Sequence, residues 1–162
     1  VRESMARLTS EFSATRSIRE YTENHYLPAA TGYRQRTDGD SALGVSLLQW
    51  QKDIDRHWNT VRFGSVRIET HDSQHSFQVE VSPGVLTPDQ LQVELYADSA
   101  QEGNPAIETM TASESHADAQ GVFIYSAQVP ANRPASDYTV RVIPHHPNAS
   151  VPLEASRITW QH

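Results

Sequence analysis

The stretches Phe77-Gln78-Val79-Glu80-Val81 and Leu91-Gln92-Val93-Glu94-Leu95 point most directly to the fold of this 162-residue chain. In both, apolar and polar side chains alternate with a period of two, which is typical of β-strands with one face in the core and one in water. Other runs follow the same pattern or a weaker one, at residues 66–70, 105–111, 122–129, 138–142 and 158–160. Turn residues rather than helices separate these runs, which predicts a seven-stranded antiparallel immunoglobulin-like β-sandwich over residues 62–162.

The residues before this region follow a helical period instead. Ile18, Tyr21 and His25 fall on one face of a helix that Ser13 can cap, because a serine hydroxyl accepts from free backbone N–H groups. Pro28 is expected to end this helix, since proline lacks an N–H and disfavours the helical conformation in the residue before it. The first helical domain is therefore expected to stop there.

A second amphipathic helix is predicted after a linker rich in Gly, Asp, Thr and Arg. Its apolar side chains recur every three or four residues, at Leu47, Trp50, Ile54, Trp58 and Val61. The chain is thus expected to be α+β by content and mainly β, with two helices before the sandwich. We divide it into a helical domain at residues 1–30, the linker and second helix at 31–61, and an accessory β-sandwich at 62–162. Two helices cannot close a core by themselves, so each needs a surface that covers its apolar face.

Charge is distributed unevenly along the chain, whose formal net charge is −7. Residues 1–60 hold 8 bases and 8 acids, so the remaining 5 bases and 12 acids place all of the excess in residues 61–162. An acidic protein lacks the cationic surface that nucleic acids require, and no apolar run approaches the roughly 20 residues of a membrane helix. We therefore expect neither nucleic acid nor membrane as a partner.

Composition also limits the chemistry. The chain has no cysteine, which excludes disulfides, thiolate metal sites and cysteine nucleophiles. It opens at Val1, without an initiator Met or the basic and apolar start of a signal peptide. We therefore expect a piece of a longer protein, and a cytoplasmic location.

No motif in the chain predicts a catalytic or cofactor site. The sequence lacks a Gly-x-Ser-x-Gly nucleophile elbow and a glycine-rich phosphate loop. Lys52 is the only lysine, so a Schiff base to pyridoxal phosphate could form nowhere else. Because Gln51, Asp53 and Asp55 surround it on a helix flank that should face solvent, we interpret Lys52 as an ordinary surface lysine.

Two pairs of histidines are candidate metal ligands. His71 and His75, with Asp72 between them, would converge if this stretch forms a hairpin tip. A loose polar hairpin holds no fixed geometry, so we favour a solvated turn. His145 and His146 are adjacent in a segment bounded by two prolines and should point apart, which disfavours a shared metal. We therefore predict no metal site.

Carbohydrate binding is the alternative that the sandwich leaves open. Such a site needs exposed aromatic side chains in a row, and Tyr96, Trp160 and either Phe123 or Tyr125 fall on outward or ambiguous positions. We name Tyr96, Tyr125 and Trp160 as candidate sugar contacts. The acidic residues select no pair at glycosidase spacing, so we interpret them as a solubilising surface.

Residues 1–29 carry a more specific signal than any periodicity. The signal is a motif of six residues followed by Tyr26-Leu27-Pro28-Ala29. The six residues are Phe12, Ser13, Arg16, Ile18, Glu20 and Tyr21. This motif, with Pro28, resembles the end of the catalytic region of α-glucan (glycogen/maltodextrin) phosphorylases, and it is most similar to the shorter bacterial branch of that family. Similarity to this branch continues over residues 86–96, 140–147 and 158–160. Ser17 departs from the pattern, in which a larger apolar residue is usual.

The resemblance implies a parent enzyme that cleaves the ends of α-1,4-glucan with phosphate, releases glucose 1-phosphate and carries pyridoxal phosphate on an upstream lysine. It implies no catalytic or cofactor residue in this chain, which we expect to be non-catalytic. Phe12, Arg16, Ile18 and Tyr21 would pack on the upstream catalytic domain of the same chain, where Arg16 would meet a carboxylate or a helix C-terminus.

Two roles follow for the sandwich. It would either serve packing and assembly, holding the last helices or the subunits of the enzyme, or bind polymeric α-glucan as a carbohydrate-binding module. The first role predicts apolar side chains that stay exposed on residues 1–30 of this chain, where a second copy could also cover them in a homodimer. The second role predicts an exposed aromatic row on one sheet.

Overall fold

The computed structural model describes residues 13–99, 104–113 and 121–162. Within these residues, two helical segments come first, and eight antiparallel strands in two sheets follow them. The chain divides into two compact units between Leu47 and Leu48. Phe12, the first residue of the family motif, lies outside the described residues. None of the helices in the described part is long and apolar enough to cross a membrane.

The first helical segment does not end at Pro28. It consists of helix α1, a π-helical turn and helix α2, which span Ala14–Tyr21, Thr22–Tyr26 and Leu27–Thr37. The prediction that Pro28 ends the helix is therefore wrong. The π turn explains the difference, because the Leu27 N–H donates to the Thr22 carbonyl and proline, which has no N–H, is tolerated in the first turn of the helix that follows.

The cap of the first helix and the second helix are both confirmed. Ser13 Oγ accepts a hydrogen bond of 3.2 Å from the Arg16 N–H, at the start of α1. Helix α3 spans Ala42–His57, and from residue 48 onward it belongs to the same compact unit as the strands. Within this unit Trp50 and Ile54 of α3 are buried, and so is Trp58 in the 3₁₀ turn Trp58–Thr60 that follows the helix.

The strands form two four-stranded sheets in which all neighbours are antiparallel. The first sheet has the order β1-β2-β6-β5, and these strands span Arg62–His71, Gln74–Ser82, Phe123–Pro130 and Thr111–Ala112. The second has the order β4-β3-β7-β8, and these strands span Ala106–Thr109, Leu91–Ala97, Tyr138–Pro144 and Thr159–Trp160. Asp72 and Ser73 join β1 to β2 with φ values of 48° and 62°, as in a type I′ hairpin.

The described residues form eight strands, one more than the sequence predicts. The predicted run at residues 105–111 is divided between two strands, since β4 lies in the second sheet and β5 in the first. Met110 stands between them, is buried, and donates its N–H to the Val93 carbonyl at 2.8 Å. A period of two does not reveal this change of sheet, because it reports only which side chains are buried.

The buried faces of the two sheets meet. The ring of Phe77 on β2 lies 5.6 Å from the ring of Tyr138 on β7, which connects the first sheet to the second. Both sheets contribute side chains that are almost fully buried, among them Val79, Val81, Val93, Leu95 and Val142. Burial of each such side chain contributes about 1.5–3 kcal/mol to stability. The prediction of a mainly β fold with helices before it is thus confirmed.

Candidate functional site

A cluster of polar and aromatic side chains lies on the outer face of the second sheet. Gln92, Glu94 and Tyr96 alternate with inward-facing residues of β3, so all three project from the same face. The register places Arg141 of β7 directly opposite Glu94, and Trp160 of β8 directly opposite Arg141. We call these five residues the outer cluster.

The centre of the outer cluster is a buried ion pair. The Nε and Nη2 atoms of Arg141 each lie 2.7 Å from Oε2 of Glu94. Gln92 Nε2 donates to the other carboxylate oxygen, Oε1, also at 2.7 Å. The side chains of Arg141 and Glu94 are only 16% and 6% exposed. Two buried charges are stable together only if partners replace the water that each has lost, and here both carboxylate oxygens have such partners.

Two aromatic rings cover this ion pair. The guanidinium carbon of Arg141 lies 4.6 Å from the centre of the Tyr96 ring and 5.4 Å from that of Trp160. The two rings are 5.3 Å apart and nearly perpendicular, at 78°. Tyr96 donates its phenolic O–H to Asp98 Oδ1 at 2.9 Å, and this hydrogen bond raises the pKa of Tyr96 above its ordinary value. The rings are therefore engaged with Arg141 and with each other.

The structure brings together two of the three candidate sugar contacts. Tyr96 and Trp160 are half-buried neighbours in the outer cluster. Tyr125 lies in the core instead, only 6% exposed, on β6. The sequence leaves the direction of Tyr125 ambiguous, and the pairing of β6 with β2 turns this side chain inward opposite Val79. Tyr125 is therefore not available as a surface contact for a sugar.

Replacing Tyr125 with phenylalanine should reduce the loss of stability at high pH. Burial raises the pKa of Tyr125 above its ordinary value, because the phenolate would lose its hydration in the core. A tyrosine in the unfolded chain has a pKa of about 10, and below that pH the neutral phenol of Tyr125 makes its full contribution to the free energy of unfolding. This contribution is lost as the pH rises through the higher pKa that Tyr125 has in the folded protein. Urea unfolding between about pH 8 and 11 measures the difference.

The control for this measurement is Tyr33→Phe. Tyr33 is 70% exposed, so its hydroxyl has little hydration to lose on folding and this variant should follow the unchanged chain. A Tyr125→Phe variant whose stability declined as steeply as that of the unchanged chain would contradict the prediction.

The first helical segment, Ala14 to Thr37, presents several exposed apolar side chains. We call these residues the helical segment. No residue of α1 is buried, and the large apolar side chains are more than half exposed at Ile18, Tyr21, Tyr26 and Leu27. Arg16 forms an ion pair of 3.1 Å with Glu20, one helical turn away. Here the carboxylate that Arg16 meets thus comes from its own helix, and most of the family motif remains accessible.

The histidines form hydrogen bonds and ring contacts of their own. Residues 71–75 form the predicted hairpin tip, but His75 is buried, with Nδ1 2.8 Å from Thr70 Oγ1 and Nε2 2.9 Å from the Arg133 carbonyl. Both of its ring nitrogens are therefore occupied. His145 and His146 have different partners, Asp89 and Trp50. Within the described ranges, no group of three or more His, Cys, Asp or Glu residues could hold a metal ion.

The surroundings of Lys52 do not fit pyridoxal phosphate. Lys52 is exposed on α3, whereas a lysine that forms a Schiff base is activated by a desolvated pocket or a neighbouring cation. The adjacent side chains are engaged elsewhere, since Gln51 Nε2 donates to the Glu154 carbonyl and Asp53 Oδ1 accepts from Gln49. We therefore assign no cofactor chemistry to this residue.

The fold and the outer cluster define a mainly β domain that follows a helical segment. Residues 58–162 match the glycogen phosphorylase C-terminal domain, so the chain belongs to that family. The chain is 22% identical to the glycogen phosphorylase of Mycobacterium tuberculosis, over 98% of this chain and 20% of that protein. It is 26% identical to the maltodextrin phosphorylase of Thermococcus litoralis, over 99% of this chain and 20% of that protein. The resemblance to α-glucan phosphorylases is thereby confirmed, and the chain spans about a fifth of the length of these relatives.

Sequence reasoning misses the pair between Glu94 and Arg141. Both residues stand at outward positions of alternating strands, so they are indistinguishable from ordinary solvated charges. They are 47 positions apart in the chain, and only the antiparallel pairing of β3 with β7 places them opposite each other. No signal within either segment could have found them.

Proposed function

We propose that this chain is the non-catalytic C-terminal segment of an α-glucan phosphorylase, and that its sandwich serves packing and assembly. The parent enzyme would transfer glucosyl units from α-1,4-glucan to phosphate, giving glucose 1-phosphate, with pyridoxal phosphate held by its catalytic domain. Family membership and the names of the two relatives support this parent activity. The exposed apolar face of the helical segment is the observation that carries the assembly role.

The helical segment needs a surface that covers it. Helix α1, the π turn and helix α2 run without interruption from Ala14 to Thr37, and none of their residues is buried, whereas most helical stability in proteins comes from the packing of an amphipathic face. Burying the exposed side chains of Ile18 and Leu27 would contribute about 1.5–3 kcal/mol each. We propose the upstream catalytic domain of the same chain as the cover, because this chain spans only 20% of the length of each relative.

Glucan binding by the outer cluster is the alternative. It is supported by the neighbouring rings of Tyr96 and Trp160, which are both half-buried on the outer face of the second sheet. A sugar stacks on the open face of a ring, however, and Arg141 already lies over the Tyr96 ring. The two rings are also perpendicular rather than in a row, and Tyr125 lies in the core. We therefore favour the assembly role.

The strand order supports an immunoglobulin-like arrangement, which we propose for the sandwich. The orders β1-β2-β6-β5 and β4-β3-β7-β8 correspond to the A-B-E-D and C-F-G sheets of such domains, with one additional strand beside C. Folds of this kind carry many unrelated functions, so the arrangement does not decide between assembly and glucan binding.

The domain boundaries at residues 30 and 61, and the cytoplasmic location, stay predictions.

Substitution of Ile18 by aspartate in the parent phosphorylase tests the assembly role. If Ile18 packs on the catalytic domain, the variant buries an unpaired carboxylate there, which strongly destabilises the contact. We expect the specific activity on glycogen and on maltoheptaose to fall by the same factor, at least about tenfold, which corresponds to about 1.4 kcal/mol. Leu153→Asp is the matched control, because Leu153 is apolar and 90% exposed but lies outside the helical segment.

Removal of residues 48–162 from the parent separates the two roles. Equal loss of activity on both substrates supports assembly, whereas loss on glycogen alone supports glucan binding. Full activity on both substrates would contradict both proposals. The cut follows Leu47 because Trp50, Ile54 and Trp58 belong to the second unit and would otherwise lose their core.

A further inference from the structure

Strand β1 is a long edge of the first sheet. It has ten residues, and of the described residues only β2 pairs with it. The other outermost strands, β5, β4 and β8, have two, four and two residues. Residues 65–71 contain no proline that would block a further strand. An edge of this length is where another chain pairs, unless the sequence prevents it.

The free edge of β1 presents backbone groups in a defined alternation. His71 and Gln74 flank the two-residue turn, so they form a hydrogen-bonded pair, and every second residue from Thr70 back to Val66 points its N–H and C=O outward. Pro130 stands opposite Gln74 on the other side of β2, which supports this assignment because a proline fits only where the ladder needs no N–H.

We propose that β1 pairs antiparallel with β1 of a second copy of this chain, about a two-fold axis at Ile68. The inference deepens the assembly role proposed above and rests on it. In this register Arg67 faces the partner's Glu69, and Glu69 faces the partner's Arg67. These are non-hydrogen-bonded pairs, in which the side chains of an antiparallel ladder lie closest. Ile68, which is 46% exposed in the single chain, meets the partner's Ile68.

The charges of Arg67 and Glu69 favour the register with its axis at Ile68 over registers with the axis at an adjacent residue. An axis at Arg67 or at Glu69 would set two arginines or two glutamates directly opposite each other, which is unfavourable. An axis at Val66 would run into the irregularity between Phe63 and Val66, where the pairing of β1 with β2 shifts. The axis at Ile68 gives two attractive pairs and about six backbone hydrogen bonds. The first sheets of the two copies then form one continuous sheet with isologous contacts.

Sedimentation equilibrium of the 162-residue chain tests this pairing. One strand pair makes a small interface, so the chain is measured at concentrations up to about 1 mM. Arg67→Glu and Glu69→Arg should each weaken dimerisation by about tenfold or more, because each replaces both attractive pairs with like charges. The double variant R67E/E69R restores opposite charges and should dimerise as the unchanged chain does.

Mixing the two single variants gives the most selective measurement. A chain with R67E presents two glutamates at these positions, and a chain with E69R presents two arginines. The mixture should therefore form a 1:1 heterodimer, although neither variant pairs well with itself. Recovery on mixing also excludes misfolding as the cause of the weakening, because a misfolded chain would not regain its partner.

Two results would overturn the pairing. The first is a chain that stays monomeric at about 1 mM, or a dimer that neither R67E nor E69R weakens. The second is a dimer that Ile18→Asp abolishes while the charge variants do not, which would assign the contact between copies to the helical segment. The packing of Ile18 on the catalytic domain is measured by the activity of the parent, so the two proposals fail separately.

Discussion

Replacing Arg141 with alanine should lower the free energy of unfolding by about 3–5 kcal/mol, because it leaves the Glu94 carboxylate buried without its counter-charge. Two nitrogens of Arg141 donate to the same oxygen of Glu94, whose side chain is 6% exposed. Gln92 would still donate to the other oxygen, but a neutral amide does not balance a charge. The rings of Tyr96 and Trp160 would also lose the cation that they cover. Urea unfolding followed by circular dichroism measures the change.

Arg157→Ala is the matched control for this prediction. Arg157 forms an ion pair of 3.1 Å with Asp55, but the two side chains are 50% and 62% exposed. Exposed pairs of this kind contribute about 0–1 kcal/mol, so the control should stay within that range. Removing both charges of the buried pair, in E94Q/R141M, should recover much of the loss because no charge is left alone. Equal losses in the two alanine variants would contradict the burial of the pair between Arg141 and Glu94.

Replacing Ile54 with alanine should lower the free energy of unfolding by about 2–5 kcal/mol. Ile54 lies on α3 and is 0% exposed. The substitution removes apolar contacts and leaves a cavity that close-packed surroundings fill only in part. Since residues 48–162 form one compact unit, the loss should appear in the transition that unfolds the strands, which circular dichroism in the β region follows.

Leu48→Ala on the same helix is the control. Leu48 is 58% exposed, so this substitution should change the free energy of unfolding by no more than about 0.5 kcal/mol. If Ile54→Ala left the unfolding of the strands unchanged, α3 would fold separately from them. That result would favour the boundary at residue 61 that the sequence predicts.

Alternation of apolar and polar residues locates most of the strands, because the burial of one face is a local property of the sequence. The runs that begin at Val66, Phe77, Leu91 and Tyr138 all lie within observed strands. The eighth strand escapes prediction because the chain changes sheets at Met110, and a period of two does not record which sheet a strand joins.

The helical segment shows a different limit of local rules. The spacing of Ile18 and Tyr21 indicates a helix, and the position of Ser13 identifies its cap, since both depend on neighbours one turn away. The prediction that the helix ends at Pro28 is wrong because a π turn precedes this proline and places it in the first turn of α2. Helix propensities describe α-helical hydrogen bonds, so they do not predict where the chain adopts the wider turn.

Local patterns in the sequence establish that this chain is mainly β and that its acidic excess lies in residues 61–162. They also establish that it belongs with the α-glucan phosphorylases. Folding in three dimensions was needed to pair Glu94 with Arg141, to turn Tyr125 into the core and to leave the backbone of β1 at an edge. The physical reason is that these features depend on strand order and register, which bring together residues far apart in the chain. No single segment carries that information.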